Sequence, residues 1–261
     1  MNYQQGSTGA IVKQIQKVVG CTPDGVWGPK TTAAVRAWQK AHNLVADGIA
    51  GPATLAAMGI SETATADINI IKAPISIHIT YMPRRQPQYI AIHYTAGGSS
   101  RSGQAMATRN VFTRREASTD YVVDDANIVQ VNPDPRNYYC WAVGDKKNPY
   151  TGGSLSGKAK NSNTISIEIC SNLAAGTSAK MPNHSGWSFT DAALNNARQL
   201  VRYLIQQYGI PKERVIRHYD ISGKLCPGVP GWNNGPLYNT DGTKTTAKSS
   251  SLKWLEWWES I

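Results

Sequence analysis

Apolar residues recur along this chain with two different periods, and the change from one to the other divides it. Toward the N-terminus the spacing is helical. Ile11, Ile15 and Val18 lie four and three residues apart and Gly20 stops the run, which predicts a first helix with those residues on its buried stripe. Val35 and Trp38, extended by Ala34 and Ala41, predict a second. From Tyr89 onward, alternation with period two takes over. In Tyr89–Tyr94, Tyr89, Ala91 and His93 take one face and Ile90 and Ile92 the other. In Thr164–Cys170, Ile165, Ile167 and Ile169 share a face and leave Ser166, Glu168 and Cys170 opposite. Tyr121–Val123 and Ile128–Val131 flank Asp124-Asp125-Ala126-Asn127, a hairpin signal. A long helix follows, with Thr190 at its N-cap, Phe189 and Leu194 at the two positions of a hydrophobic staple, and Leu194, Ala197, Val201, Leu204 and Tyr208 on its stripe. Gly209 and Pro211 end it. Val215–His218 predicts a further strand with His218 at its C-terminal end. Strands alternating with helices predict an α/β domain, preceded by a small helical one.

A repeat marks the first of these. Asp24-Gly25-Val26-Trp27-Gly28-Pro29-Lys30-Thr31 recurs 23 residues later as Asp47-Gly48-Ile49-Ala50-Gly51-Pro52-Ala53-Thr54. Each copy is a turn whose glycines permit positive φ, followed by a proline at the start of a helix, where its missing N–H is not needed. Three short helices around one core follow for residues 1–59. The doubled D-G-x-x-G-P-x-T signature resembles the peptidoglycan-binding module found beside many cell-wall hydrolases. Ser61-Glu62-Thr63-Ala64-Thr65-Ala66-Asp67 is small and polar, so residues 60–74 are expected to be a linker and 75–261 the second domain.

A length of 261 residues accommodates such a pair. The formal charge of +10 points to an anionic partner, with five Lys/Arg and two Asp in residues 1–59 leaving +7 for the rest. No block of five or more Lys/Arg and no nucleic-acid-reading motif accompanies it, so a nucleic-acid partner is not expected. The N-terminus has neither the basic nor the apolar region of a secretory signal, and no stretch approaches a membrane span. Synthesis in a cytoplasm without membrane insertion is the expectation. Cys21, Cys140, Cys170 and Cys226 are widely spread and are expected to be reduced, Cys140 and Cys170 as core thiols. His42, His78 and His184 match no motif and are expected to be structural or exposed.

The chemistry gathers elsewhere. Residues 217–228, Arg-His-Tyr-Asp-Ile-Ser-Gly-Lys-Leu-Cys-Pro-Gly, place His218, Lys224 and Cys226 on one short segment leaving a strand and closing on a Pro-Gly turn. His93 stands near the end of the buried strand Tyr89–Tyr94. Two imidazoles and one thiolate, with a fourth position left open, are the ligand set of a catalytic rather than a closed structural zinc site. Blue copper also uses two His and one Cys, but no Met follows Cys226.

These residues resemble the zinc-dependent N-acetylmuramoyl-L-alanine amidases, a family that shares its fold with peptidoglycan recognition proteins. The resemblance implies a mixed central β-sheet flanked by helices, with zinc on His93, His218 and Cys226 and Lys224 at the developing oxyanion. Asn161–Asn172 resembles the strand by which the Gram-positive phage and autolysin branch supplies a catalytic glutamate, which implies Glu168 as acid/base. Relatives that use a tyrosine instead have it where this chain has Thr119, with Tyr121 facing differently. The implied activity is hydrolysis of the amide between N-acetylmuramic acid and L-alanine in peptidoglycan. A monomeric phage or prophage endolysin, released through a holin-type lesion, is the leading expectation. The alternatives are an autolysin or sporulation amidase, or a non-catalytic recognition protein, although such binders typically lose the cysteine ligand. Leu173–Trp187 reads as a loop that identifies no substrate subsite.

Overall fold

The fold is described from a computed structural model, over residues 2–7, 10–60, 68–144, 153–177 and 181–261. It separates into two compact units, Met1–Ile68 and Asn69–Ile261.

The first unit carries three helices, α1 (Ala10–Val18), α2 (Pro29–Ala41) and α3 (Pro52–Ala57). Pro29 and Pro52 open α2 and α3 behind Gly28 and Gly51. Its core joins Val12, Ile15, Trp27, Val35, Ala50, Leu55, Met58 and Ile60. The stripe on α1 is therefore rotated from the expected one: Val12 is fully buried, while Val18 is 41% exposed. The repeat is built on two buried glutamines. Gln16 donates to Asp24 Oδ1 (2.7 Å), the Val26 carbonyl (3.0 Å) and Thr31 Oγ1 (3.2 Å), and accepts from Gly25 N–H (2.8 Å). Gln39 repeats this with Asp47, Ile49, Thr54 and Gly48, at 3.0, 2.9, 3.1 and 2.9 Å. Gly25 and Gly48 lie at φ 79° and 74°, so the turn uses a left-handed residue at the first glycine of each copy.

The second unit opens with β1 (Ile70–Lys72), β2 (Ile79–Tyr81) and β3 (Tyr89–Tyr94), followed by α4 (Gln104–Val111), β4 (Tyr121–Val123), β5 (Ile128–Gln130) and β6 (Tyr138–Cys140). Next come β7 (Thr164–Ile169), β8 (Asn172–Leu173), β9 (Trp187–Ser188), α5 (Asp191–Tyr208), β10 (Val215–Arg217) and α6 (His218–Ser222). The unit ends with β11 (Pro236–Tyr238), β12 (Lys244–Lys248) and α7 (Leu252–Glu259). Six strands form the main sheet in the order β1-β5-β4-β7-β3-β10, parallel except for the β4–β5 hairpin. This is the mixed α/β architecture expected.

Two expectations shift here. The stretch assigned to a linker contains β1, because Ile70–Lys72 finds a parallel partner in β5 and Ile71 packs on the domain core; Ser61–Asp67 lies outside the described residues. Leu173 and Trp187, expected to bound a loop, face each other across the β8–β9 pair.

The middle of the sheet is covered on both faces. α4 and α5 both pack on β4 and β5, and Ile165, Ile167 and Ile169 are fully buried. Thr190 caps α5 by accepting from Ala193 N–H, and Gly209 ends it at φ 65°. Its buried stripe adds Ala193 and Leu200 to Ala197, Val201 and Leu204. Arg85 and Asp120 form a pair with fully buried side chains; Arg85 also donates to the carbonyls of Ser162, Pro135, Tyr138, Asn161 and Thr164. Among the described residues, no helix is long and apolar enough to cross a membrane.

Candidate metal centre

The site lies at the C-terminal ends of three adjacent parallel strands. Register puts His93 of β3 directly beside Glu168 of β7. On the other flank Arg217 of β10 is the partner of Ile92, so the next residue arrives beside His93. That residue, His218, is the first of helix α6 rather than the last of the strand as expected. Asp220 turns the chain there, accepting from Arg217 N–H at 2.8 Å and pairing with the Arg217 guanidinium at 2.6 Å. Gly223, at φ 76°, ends α6, and Tyr219 N–H donates to the Cys226 carbonyl at 2.9 Å. The returning chain thereby places the Cys226 sulfur 3.7 Å from His93 Nδ1. The ring centroids of His93 and His218 are 4.7 Å apart. Donor atoms of His93, His218 and Cys226, all buried, lie within 4.8 Å of one another.

Their surroundings are poor in compensating charge. Burial drives His93 well below the ordinary imidazole range, with His218 and Lys224 acting in the same direction. Burial, then Lys224, pushes His218 down to about 4, opposed by the Val143 backbone. Glu168 is pushed up to about 8 by burial, opposed by Lys224 and Arg115. Cys226 is pushed up to about 12 by burial and by Glu168, although it accepts a hydrogen bond from the Tyr94 backbone. The 3.9 Å approach of Glu168 Oε1 to His93 Nδ1 is therefore a contact of two groups that burial keeps neutral, not an ion pair. His93 Nε2, His218 Nδ1 and Glu168 Oε2 are buried with no hydrogen-bond partner. Unsatisfied polar atoms cost about 1–3 kcal/mol each, so a cluster of them is a chemical demand rather than a packing solution. A divalent cation at the cluster would answer part of that demand: it would engage the orphaned His218 Nδ1 and favour the thiolate and the neutral imidazoles.

Lys224 is exposed, and its charge reaches the whole cluster. Thr119 is buried with its hydroxyl donated to the Ser166 carbonyl at 3.0 Å. Tyr121 is the partner of Ile167, whereas Val122 is the partner of Glu168, so the tyrosine ring takes the opposite face. Cys140 and Cys170 are buried free thiols. His184 is fully buried, with Nε2 at 2.8 Å from the Thr240 carbonyl, and His42 stacks on Trp38. Val143, Arg115 and the Tyr94 backbone were not anticipated. They act through main-chain groups or from a loop without periodicity, where side-chain patterns carry no signal.

Residues 83–229, more than half of the chain, match the family model described as N-acetylmuramoyl-L-alanine amidase, and residues 7–58 match a putative peptidoglycan binding domain. Among curated proteins, the N-acetylmuramoyl-L-alanine amidase CwlH of Bacillus subtilis (strain 168) is 34% identical over 174 residues, which are 64% of this chain and 59% of that protein. CwlA of the same organism is 31% identical over 140 residues, 54% of this chain and 43% of its own length. The solved catalytic domain of XlyA aligns with 27% identity and a TM-score of 0.45, covering 61% of this chain and 90% of that one. The chain spans 59% and 43% of the lengths of those two curated relatives. With the two-histidine, one-cysteine cluster inside the matched segment, the chain belongs to the N-acetylmuramoyl-L-alanine amidase family.

Proposed function

We propose that this protein is a peptidoglycan hydrolase that cleaves the amide between the lactyl group of N-acetylmuramic acid and L-alanine. Zinc would be held by His93, His218 and Cys226, and residues 1–59 would bind the wall. The observation that carries the reading is the convergence of two imidazoles, a thiol and a carboxyl at adjoining strand ends in a chain of the amidase family.

The donor set fits zinc. With Zn–N near 2.0–2.1 Å and Zn–S near 2.3 Å, a tetrahedral N···S edge is about 3.6 Å, close to the 3.7 Å between His93 Nδ1 and Cys226 Sγ. His218 Nδ1 is buried without a partner, a donor atom left free to ligate. Zinc bound there supplies a Lewis acid and makes water acidic enough to react at neutral pH.

The chain's own groups do the rest. Glu168, with Oε2 unengaged, would accept the proton of the attacking water in its ionised form, which Lys224 and a cation on the adjoining ligands both favour against burial, and would return it to the departing nitrogen. Its neighbour across the β3–β7 pair is His93, so proton acceptor and ligand are held by one ladder of backbone hydrogen bonds. Lys224 offers a cation to the negative charge growing on the carbonyl oxygen. Net charge of +10 favours approach to an anionic wall. An endolysin-type enzyme accords with this pairing of a wall-binding module and an amidase; a bacterial autolysin or sporulation amidase is the runner-up.

Digestion of purified peptidoglycan tests the reading. New L-alanine amino ends without new reducing sugars are expected. New reducing ends would indicate a glycosidase instead, and neither product a binding protein.

A further inference from the structure

Trp141 is 41% exposed, and an isolated exposed apolar side chain on a protein surface needs no explanation. This one is fixed at three points. Its backbone N–H donates to Ser118 Oγ at 2.8 Å, its indole N–H donates to Thr80 Oγ1 at 2.9 Å, and its ring lies beside His78 with centroids 5.6 Å apart. The chain beyond it is pinned as well: the N–H groups of Ala142, Val143 and Gly144 all donate to Asn161 Oδ1, at 3.1, 2.9 and 3.2 Å. Val143 is buried in one cluster with Ala91 of β3, Ile216 of β10 and Ile221 of α6, the elements that carry His93 and His218. Two residues of chain span at most ~7 Å, so the Trp141 backbone stands that close to a residue packed on the elements that carry the cluster.

An indole whose N–H is already engaged has only its flat carbon face to offer. That face complements a pyranose, which presents a patch of C–H bonds on one side and keeps its hydroxyls at the rim. A ring already held in place loses little freedom when a ligand stacks on it.

We infer that Trp141 is the platform on which an N-acetylhexosamine ring of the glycan stacks beside the scissile amide. The inference rests on the amidase reading for its substrate and concerns binding of the sugar rather than the chemical step. Ground-state and transition-state complexes share the stacked sugar, so its loss raises KM and leaves kcat alone.

The test compares hydrolysis of a muramyl tripeptide with that of the same tripeptide carrying a D-lactyl group and no sugar. Trp141→Ala should lower the ratio of the two kcat/KM values about tenfold, through KM of the sugar-bearing substrate. Trp141→Phe should recover part of it. An equal loss on both substrates, or a loss confined to kcat, overturns the platform. A second readout does not require turnover: chitotriose is titrated into the full-length protein while the Trp141 indole N–H resonance, assigned by its loss in Trp141→Phe, is followed. It should shift, and an unmoved resonance at saturating sugar overturns the inference. Failure of the wild type to cleave either tripeptide substrate would sink the amidase reading alone, with the titration still deciding the platform.

Discussion

Replacing Glu168 with glutamine removes one proton acceptor and almost nothing else. Oε1 makes no contact shorter than 3.9 Å to His93 Nδ1, and Oε2 has no partner, so the amide enters without breaking a hydrogen bond to the protein. Stability should not fall either. In the metal-free chain the carboxyl is pushed up from 4.5 to about 8, so its charge opposes folding at every pH above the unfolded value. Glutamine removes that opposition, and the metal-free variant should melt at or above the wild type at pH 7. Turnover should behave otherwise. A general acid/base group contributes about a hundred- to ten-thousand-fold, or roughly 2.7–5.4 kcal/mol at 1.36 kcal/mol per decade. That loss should appear in kcat, with KM and zinc content little changed, when metal-replete protein hydrolyses a soluble muramyl peptide. Lys224→Met should also slow turnover, and because both groups act at one transition state the double variant should be impaired less than multiplicatively. Near-normal kcat in Glu168→Gln would mean that another group moves the proton.

The isolated protein should contain one zinc, lose activity to a chelator and regain it with zinc, and Cys226→Ser should hold the metal more weakly; elemental analysis of active protein without stoichiometric metal would end this reading. Removing residues 1–59 should lower activity on intact walls far more than on a soluble muropeptide, since tethering raises local concentration without touching chemistry; equal losses would place the module in the active-site architecture. Gln39→Leu strips partners from Gly48 N–H and Thr54 in a buried turn and should destabilise the N-terminal unit by about 2 kcal/mol or more, read from denaturant unfolding, with no change if the network is incidental. Asp24 and Asp47 lie below their ordinary 3.8, chiefly through the N–H groups of Val26 and Ile49 and then Gln16 and Gln39. Their stabilisation is present above pH 3.8 and lost as pH falls through the lower folded values, so that unit should weaken in this acid window, and Asp24→Asn with Asp47→Asn should flatten the profile.

What could be read from residues alone followed periodicity. Alternation in Tyr89–Tyr94 and Thr164–Cys170 set His93 and Glu168 on defined faces, and the observed pairing of those two residues is what such faces permit. The stripe on α1 was misjudged because Ile11, Val12, Ile15, Val18 and Val19 offer two overlapping helical faces, and only tertiary contacts choose Val12 over Val18. Gln16 and Gln39 resemble solvated helix positions by composition. Their separation, 39 − 16 = 23, equals that of Asp24 and Asp47, 47 − 24 = 23, and would have exposed them as part of the repeat. Arg85 gave no such clue, since its acceptors are carbonyls between 50 and 79 residues away, and a carbonyl has no sequence signature.

The metal cluster shows why motif and fold are both needed. His218-x5-Lys224-x-Cys226 supplies ligands from one segment, but its helix and glycine turn only bring them near each other. His93 joins them because β10 runs parallel to β3 in a register that sets Arg217 beside Ile92, and Glu168 joins because β7 runs parallel on the other side. A slip of one residue in β3 would move His93 to the opposite face, away from Glu168 and Cys226, while leaving every motif in the chain intact. The register is held by Ile90 and Ile92, both fully buried, which such a slip would drive into the space now packed around Ala91 and His93 on the other face. The buried isoleucines are thus positioning elements of the chemistry: polar replacement of Ile92 should reduce metal content as well as stability, whereas a loss of stability with metal affinity unchanged in the folded fraction would separate the two and refute the link.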